Sequence, residues 1–400
     1  MAVARERLHF ARHDVLCSGI LAQPPILSLI PYSENPTHPY FRNRTPMIDI
    51  LPIRTQRTTD SRLAALDFDN LEFGKIFADH MFAVDYHNGE WQDPQIVPYG
   101  DMAVTPANSA LHYGQAIFEG MKAYHQADGG LGLFRPLDNW ARLNVSAERM
   151  CMPTIPEDLF MQGLRELIKL DAGWVPTAAG SSLYIRPFMF ATDGFIGVRP
   201  SESYRFMIFT CPVGLYYNKP LRVRFEQKYV RSAEGGAGFA KNAGNYGAAM
   251  YPTKLAQQEG YNQLIWTDAS EHQYVEESGT MNAIFVIDGR VVTPALSTSI
   301  LDGVTRRSVL QLARDMGLTV EERKVSSREV MEALAAGQLE EAFGAGTAAT
   351  IAPIATIGYE GHDYDLPAPG PNAFSKRVGA ALDAIRTGEG ADVYNWMVRV

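Results

Sequence analysis

Hydrophobic and polar positions along the chain fall into two periodicities. In "TIPEDLFMQGLRELIKLDAGW", Phe160, Leu164, Leu167 and Ile168 recur at helical spacing and predict one apolar helix face. Thr154 is the expected N-cap, with Glu157 completing a capping box and Pro156 in the first turn. A second helix is predicted at "TRRSVLQLARDMG", with Val309, Leu312, Ala313 and Met316 inward and Gly317 at its end. "SSREVMEALAAG" predicts a third, with a Ser326/Glu329 capping box and Gly337 as its stop, and "NAFSKRVGAALDAIRTG" a last one. "LHYGQAIFEGMKAY" also reads as a helix. Period two marks strands: "LRVRFEQKYVRS" alternates apolar and polar, and "SLYIRPFMF" and "YRFMIFTCPVG" are predicted as strands. Two hairpins are expected, turning at Asn88-Gly89 and Asp288-Gly289, residue types that tolerate positive φ.

Strands mixed with helices, including local hairpins, fit an α+β class better than a regular βαβ alternation. A chain of 400 residues is long enough for two domains. The expected division is a smaller α/β domain over 47–214, a linker over 215–221 around "LYYNKP", and a larger domain over 222–400. Residues 1–46 read differently. "MAVARERLHFARHDV" has the pattern of a short amphipathic helix, while "PYSENPTHPYFRNRTP" is a Pro/Asn/Arg-rich coil. The stretch is expected to be a disordered extension, or to precede a true start at Met47. Glu6, Asp14 and Glu34 fit an acid-poor presequence badly. The apolar run "GILAQPPILSLI" is broken by Pro24 and Pro25, and nothing approaches the ~18 apolar residues of a membrane span.

Composition narrows the partners. The chain is 46% hydrophobic, and 45 acidic against 36 basic residues leave a net charge of -9. That balance argues against nucleic acid or an anionic membrane as the main partner. Cys17, Cys151 and Cys211 are odd in number and widely spaced, as in a reducing compartment, so a cytoplasmic location is expected. His9 and His13 stand four apart, as helical metal ligands can, but without a third ligand nearby chance explains them better, and no metal is expected.

The unusual segment is "GGAGFAKNAGNYGAAM", Gly235 to Met250, where Lys241 stands as the one charged side chain among glycines, alanines and asparagines. Small residues let another body approach the backbone closely. A phosphate-cradling P-loop is excluded, because Asn242 follows Lys241 where that motif requires Ser or Thr. No hydrolase or metalloenzyme motif is visible, and the dinucleotide fingerprint is absent. A lysine can instead act covalently, forming a Schiff base with a carbonyl, and pyridoxal phosphate is the common aldehyde partner. Such a site needs an acid at the pyridine nitrogen, donors for the phosphate and an anchor for a substrate carboxylate. Glu277 in "EESGTMN" offers the acid, although by spacing alone an ordinary strand-end carboxylate is the better explanation. "GVTRRS", Gly303 to Ser308, opens a helix whose free N–H groups favour an anion, and a plain helix start explains it equally well. "FGAGTAAT", Phe343 to Thr350, offers consecutive N–H groups in a turn, and such turns are common without any ligand.

Taken jointly and in order, "EGMKAY", "FRP", "YIRP", "FAKNAGNYG", "EESGTMNAIF", "LDGVTRRSVL" and "FGAGTAA" resemble the branched-chain aminotransferases, pyridoxal phosphate enzymes of fold type IV. The resemblance runs from about residue 60 to the C-terminal "WM". It implies a two-domain, D-amino acid aminotransferase-like α+β fold, with the cofactor in the interdomain cleft and a mobile loop at "LYYNKP". By it, Lys241 carries the cofactor and shuttles the substrate Cα proton, and Glu277 meets the pyridine nitrogen. Arg142, in "DNWARL", matches the phosphate-binding arginine, joined by the Val304 and Thr305 amides and by Thr347. Tyr246 matches the residue bonding the cofactor's phenolic oxygen, and Leu301 and Gly279-Thr280 flank the ring. The Thr347-Ala348 amides would receive the substrate α-carboxylate. Tyr113, Phe118, Tyr184, Arg186 and Val198 match side-chain-pocket positions, some of them donated across a homodimer interface. Mammalian members carry a C-x-x-C after the "GTA" turn; Ala349 and Ala352 stand there in this chain, so no thiol switch is expected.

The activity implied is ping-pong transamination of leucine, isoleucine and valine with 2-oxoglutarate. Its partners are small amino and 2-oxo acids. A D-amino acid aminotransferase or an aminodeoxychorismate lyase-like enzyme shares the lysine, the glutamate and the phosphate turn, so those parts do not discriminate. "YIRP" and "FAKNAGNYG" resemble the L-specific branched-chain group. A chain that only binds a small molecule or a partner is the third reading, and it leaves the lysine and its acid unexplained.

Overall fold

The computed structural model describes residues 52–400 apart from Leu215 and Asn218. The expectations for 1–46, and part of the expected linker, lie outside the described residues. The rest builds two nine-stranded sheets. The first uses β1 (Arg54–Thr55), β2 (His80–His87), β3 (Glu90–Pro98), β4 (Ala116–Phe118), β5 (Met121–His125), β6 (Leu131–Phe134), β7 (Ser182–Ala191) and β8 (Tyr204–Val213). Their order is β1-β3-β2-β8-β7-β5-β6, with β4 on β7, and β1 and β3 are the parallel neighbours.

The second sheet uses β9 (Leu221–Phe225), β10 (Gln263–Thr267), β11 (Val275–Ser278), β12 (Met281–Ile287), β13 (Arg290–Pro294), β14 (Val320–Arg323), β15 (Leu339–Gly346), β16 (Thr350–Tyr359) and β17 (His362–Asp365). Its order is β11-β10-β9-β16-β15-β12-β13-β14, with β17 on β16. A further β11–β12 pairing joins the first and sixth of these, so six strands close into a ring. The C-terminal strand β18 (Met397–Arg399) returns to the first sheet, beside β6. Seven α-helices accompany the sheets among the described residues: α1 (Ser109–Tyr113), α2 (Pro136–Arg149), α3 (Glu157–Leu170), α4 (Ala243–Gln258), α5 (Val304–Asp315), α6 (Ser327–Ala335) and α7 (Phe374–Thr387).

Local chemistry explains most of these boundaries. Asn88 and Gly89 (φ 53° and 87°) and Asp288 and Gly289 (φ 50° and 72°) are both left-handed, as a two-residue turn matching strand twist requires. α3 buries Phe160, Leu164, Leu167 and Ile168 in a core with Phe82 and Phe206. Gly163 lets it approach closely, since a Cβ there would lie 2.7 Å from the Phe82 ring. Each such large apolar side chain contributes roughly 1.5–3 kcal/mol on full burial. A second core lies on the other sheet, and a third cluster joins Val309, Leu312 and Ala313 of α5 to Val378, Leu382 and Ile385 of α7.

Two local expectations need correction. α3 starts at Glu157 with Pro156 as N-cap and no side-chain cap, so the Thr154/Glu157 box does not form. The Ser326 cap does form, its hydroxyl accepting the Glu329 N–H at 3.0 Å, while the Glu329 carboxylate turns to Arg323. "LHYGQAIFEGMKAY" is not one helix: a single turn, α1, ends at Gly114 (φ 66°), and β4 and β5 follow. Two glycines and the buried alternation of Ile117 break the helical pattern there.

Candidate active site

The lysine segment is clamped by backbone bonds to the first sheet's elements. Phe118 N–H donates to the Lys241 carbonyl at 3.0 Å, and Lys241 N–H donates to Ser146 Oγ of α2 at 2.8 Å. Asn242 then N-caps α4, its side chain accepting the Asn245 N–H at 3.1 Å. Asn245 Nδ2 ties back to the carbonyls of Ala237 and Ala240, both at 2.8 Å. The asparagines thus hold the loop into which the lysine is set. At Gly238 the body that approaches is protein: a Cβ would lie 2.5 Å from the Ser299 carbonyl oxygen.

The lysine amine donates to the Tyr246 hydroxyl and sits 4.6 Å from the centre of the Phe118 ring. The Phe118 and Tyr246 rings meet edge-on at 4.8 Å. The Arg186 guanidinium lies over the same Phe118 ring at 4.8 Å, and its Nη2 donates to the Tyr184 hydroxyl at 3.1 Å. Gly120 makes room for that hydroxyl, with which any Cβ would collide. Arg186 Nε is buried without a partner among the described residues. Lys241, Tyr246, Phe118, Arg186 and Tyr184 are therefore one continuous set of contacts.

Glu277, at the end of β11, is 3% exposed. Its Oε1 accepts the Leu301 N–H at 2.6 Å and faces Arg231 Nη2 at 3.1 Å. Burial pushes its carboxyl above the usual range, against Arg231, Leu301, Lys241 and Arg142, which favour the anion. Arg142 is held by Glu119, Nε at 2.7 Å and Nη2 at 2.9 Å, and its Nη1 donates to the Asp302 carbonyl at 2.8 Å. Burial disfavours its charge, but Glu119 outweighs burial and keeps the guanidinium more basic than usual. Asp302 immediately precedes Gly303, the N-cap of α5, which has no side-chain cap. A Cβ at Gly303 would collide with Asn282 Oδ1. The buried start of α5, Val304 and Thr305, therefore keeps N–H groups that no side chain caps.

Thr347 and Ala348 lie in the turn between β15 and β16, half-buried. Beneath them Lys122 of β5 donates to the Ala348 carbonyl at 2.9 Å. Burial first, and Arg386 second, push that lysine down to about 7. Thr280 is exposed in the tight turn after Gly279 (φ 59°). Tyr113 and Val198 are also exposed, Val198 at 92%, and neither belongs to the contacts joining Lys241 to Arg186. Glu119, Lys122, Ser146 and Arg231 were not singled out from the sequence. Two of them, Glu119 and Lys122, stand inside the motif "EGMKAY", where two charged residues among small and apolar neighbours are the available signal.

The amino-transferase class IV family matches residues 116–357, and the chain belongs to that family. Among known proteins it is 46% identical over 339 residues to the branched-chain-amino-acid transaminase 1 of Bacillus subtilis, covering 84% of this chain and 95% of the relative. Its fold is similar to the Escherichia coli branched-chain amino acid aminotransferase (28% identity, TM-score 0.65), covering 80% of this chain and 98% of that one. It is also similar to the branched-chain amino acid aminotransferase of T.th. complexed with N-(5'-phosphopyridoxyl)-L-glutamate (25% identity, TM-score 0.64), covering 79% and 97%. The chain is an aminotransferase of fold type IV. The residues present fit pyridoxal phosphate: an amine on a hydroxyl, uncapped helix N–H groups beside an arginine, and a buried acid. No protein hydrogen bond among the described residues falls on that acid's Oε2.

Proposed function

We propose that the chain transfers the amino group of L-leucine, L-isoleucine and L-valine to 2-oxoglutarate, giving branched 2-oxo acids and L-glutamate, with pyridoxal phosphate held at Lys241. The lysine amine on the Tyr246 hydroxyl, one aromatic ring away from Arg186, carries this reading. Bound pyridoxal phosphate supplies an aldehyde that links to amines and a ring that draws off electrons as the Cα–H bond breaks. Lys241 Nζ takes the proton from the substrate Cα and returns it. Glu277 places negative charge at the pyridine nitrogen, and Tyr246 serves the phenolic oxygen. Arg142, the Val304 and Thr305 amides and Thr347 serve the phosphate, with Leu301 and Thr280 beside the ring. The Thr347 and Ala348 amides receive the α-carboxylate.

Phe118 and Tyr184 supply the apolar wall of the side-chain pocket. Arg186 answers the γ-carboxylate of glutamate and stays hydrated beside leucine. Tyr113 and Val198 are exposed, as are Leu111 and Ile196, so we assign them to the face of a homodimer, reaching the other copy's pocket. We take the two sheets as the cores of two domains, 47–214 and 222–400, joined by 215–221. Cys151 and Cys211 are both free, which suits a cytoplasmic enzyme. Among the described residues no helix is long and apolar enough to cross a membrane.

The test is to load the protein with pyridoxal phosphate and follow the cofactor's absorbance on adding L-leucine, L-glutamate or D-alanine separately. Both L-amino acids should change the spectrum and D-alanine should not. A response to D-alanine alone points to a D-amino acid aminotransferase. Pyruvate released from aminodeoxychorismate points to the lyase, and no response to any of them removes the reading.

A further inference from the structure

Glu277 and its neighbour Glu276 are both buried in β11, yet they accept hydrogen bonds from different groups, Leu301 N–H and the Ser299 hydroxyl. Arg231, its side chain 7% exposed, faces Glu277 at 3.1 Å. The same Arg231 Nη2 donates to the carbonyls of Gly238 (3.2 Å) and Ser299. Ser299 uses its hydroxyl on Glu276 Oε1, while its Oγ also lies 2.9 Å from Ser297 Oγ. One residue therefore fixes the arginine with its carbonyl and the first glutamate with its hydroxyl. Two residues on, Leu301 N–H donates to Glu277. The glycine at 238 makes this closure possible, because the Ser299 carbonyl occupies the space of its missing Cβ.

Resting on the reading above, we propose that Arg231 is a positioning residue that keeps Glu277 ionised and its Oε2 free, the Ser299 carbonyl holding the arginine's Nη2 against Glu277 Oε1. A carboxylate this buried protonates unless a cation faces it. The charged groups around Glu277 are Arg231 from the loop after β9, Lys241 before α4, Arg142 on α2, and Glu276 beside it, with Asp268 acting on Glu276. Arg142 is committed to Glu119 and Lys241 to the reaction, so Arg231 is the cation free to stay. Glu276 lacks that contact: Arg231 acts on it only at longer range, and the Ser299 hydroxyl is its hydrogen-bond donor. Burial pushes its carboxyl up to about 7, and its Oε2 has no partner among the described residues.

The experiment compares Arg231→Met, Arg231→Lys, Glu277→Gln and the double variant Arg231→Met/Glu277→Gln. The rate of the L-leucine half-reaction is read in single turnover at saturating pyridoxal phosphate. Arg231→Met should slow it by about as much as Glu277→Gln, on the order of 10²-fold. The double variant should be no more than about threefold slower than Glu277→Gln, because the arginine acts only through that acid. Arg231→Lys, which keeps a buried cation, should recover at least about tenfold over Arg231→Met. Infrared spectra of the cofactor-free protein give a readout independent of turnover. Arg231→Met should gain a protonated-carboxyl band that Arg231→Met/Glu277→Gln lacks, and Arg231→Lys should not gain it. If Arg231→Met is too unstable to purify, the Arg231→Lys rate and spectrum still decide. Multiplying losses in the double variant, a lysine no better than methionine, a lysine variant showing the new band, or an unprotonated Glu277 in Arg231→Met would overturn the proposal. A wild-type protein that ignores amino acids would sink the transaminase reading while leaving the infrared comparison meaningful.

Discussion

Two buried glutamate–arginine pairs flank the lysine, and they are built in opposite ways. In Glu119–Arg142 both carboxylate oxygens are taken, one by Nε and the other by Nη2, and Glu119 is wholly inaccessible at 0%. In Glu277–Arg231 the arginine and the Leu301 amide both fall on Oε1. The residue types and the burial match, so the difference lies in how many acceptor sites the protein itself consumes. The glutamate of the saturated pair has nothing left for a ligand and braces its arginine, here holding α2 to the residue before the α5 cap while three of the five guanidinium N–H groups are used. An unsaturated pair keeps an acceptor in reserve on a largely buried residue, useful when a ring N–H arrives.

The largest expected effect removes the amine that both pairs surround. Lys241→Ala should lower turnover below detection, while pyridoxal phosphate still binds through its phosphate contacts and the melting temperature stays close to wild type. Borohydride reduction of the wild type followed by peptide mapping checks the position. A label on any other lysine would move the centre away from both pairs.

The next test separates brace from acceptor directly. Glu119→Gln leaves Arg142 buried and facing a neutral amide, so stability in urea unfolding should fall by about 3 kcal/mol or more. Its half-reaction rate at saturating cofactor should stay within about tenfold. Glu277→Gln should reverse the pattern: a loss of order 10²-fold in single turnover and a smaller stability change, because Arg231 keeps the Gly238 and Ser299 carbonyls. If both variants lose rate and stability in the same ratio, the two pairs do not differ in kind.

Much of this architecture could be read from the chain, and the failures share a cause. The hairpins at Asn88-Gly89 and Asp288-Gly289, and the buried faces of α3 and α5, are local and periodic, so the pattern sufficed. α4 was not predicted, because small residues give it no apolar stripe; only Pro252 and Ala256 are buried on it. Lys241 and Glu277 could be singled out by composition and resemblance. The groups that set their charge could not: Arg231 reaches Glu277 across the loop before Lys241, and Glu119 reaches Arg142 from a different element. Arg142 was expected to serve a phosphate, and nothing in "DNWARL" hints that a glutamate already holds two of its nitrogens.

Arg186 supplies a third case, an arginine with no acid partner in hydrogen-bond contact among the described residues. It rests on the Phe118 ring and the Tyr184 hydroxyl, with Nε unpartnered. An arginine held this way is available to an incoming carboxylate. Arg186→Met should weaken the glutamate and 2-oxoglutarate half-reactions by about 2–3 kcal/mol in kcat/KM, the scale of a lost charge-assisted hydrogen bond. The leucine half-reaction should change by less than about tenfold. Equal losses in both would mean that Arg186 supports the fold and does not read the substrate.

The smallest effect concerns Lys122, a buried cation whose recorded hydrogen bond is to a carbonyl, Ala348 O, and not to an acid. Burial lowers its pKa from 10.5 to about 7, so the sign of the pH dependence follows. Between about pH 7 and pH 10 the unfolded chain holds a proton that the folded chain has released, and stability therefore rises with pH. Below pH 7 both states are protonated and the contribution levels off at its minimum. The slope is at most about 1.4 kcal/mol per pH unit. Glu276 works the other way: raised to about 7 by burial, it stabilises below the ordinary carboxylate range and loses that contribution as pH climbs through 7. Urea unfolding at pH 7.5 to 9.5 avoids it, and the difference between wild type and Lys122→Met isolates the lysine. Wild-type stability should gain on the variant as pH rises through that window. Parallel curves would mean that Lys122 stays protonated in the fold, and that the Ala348 carbonyl suffices to hold a buried charge without any acid.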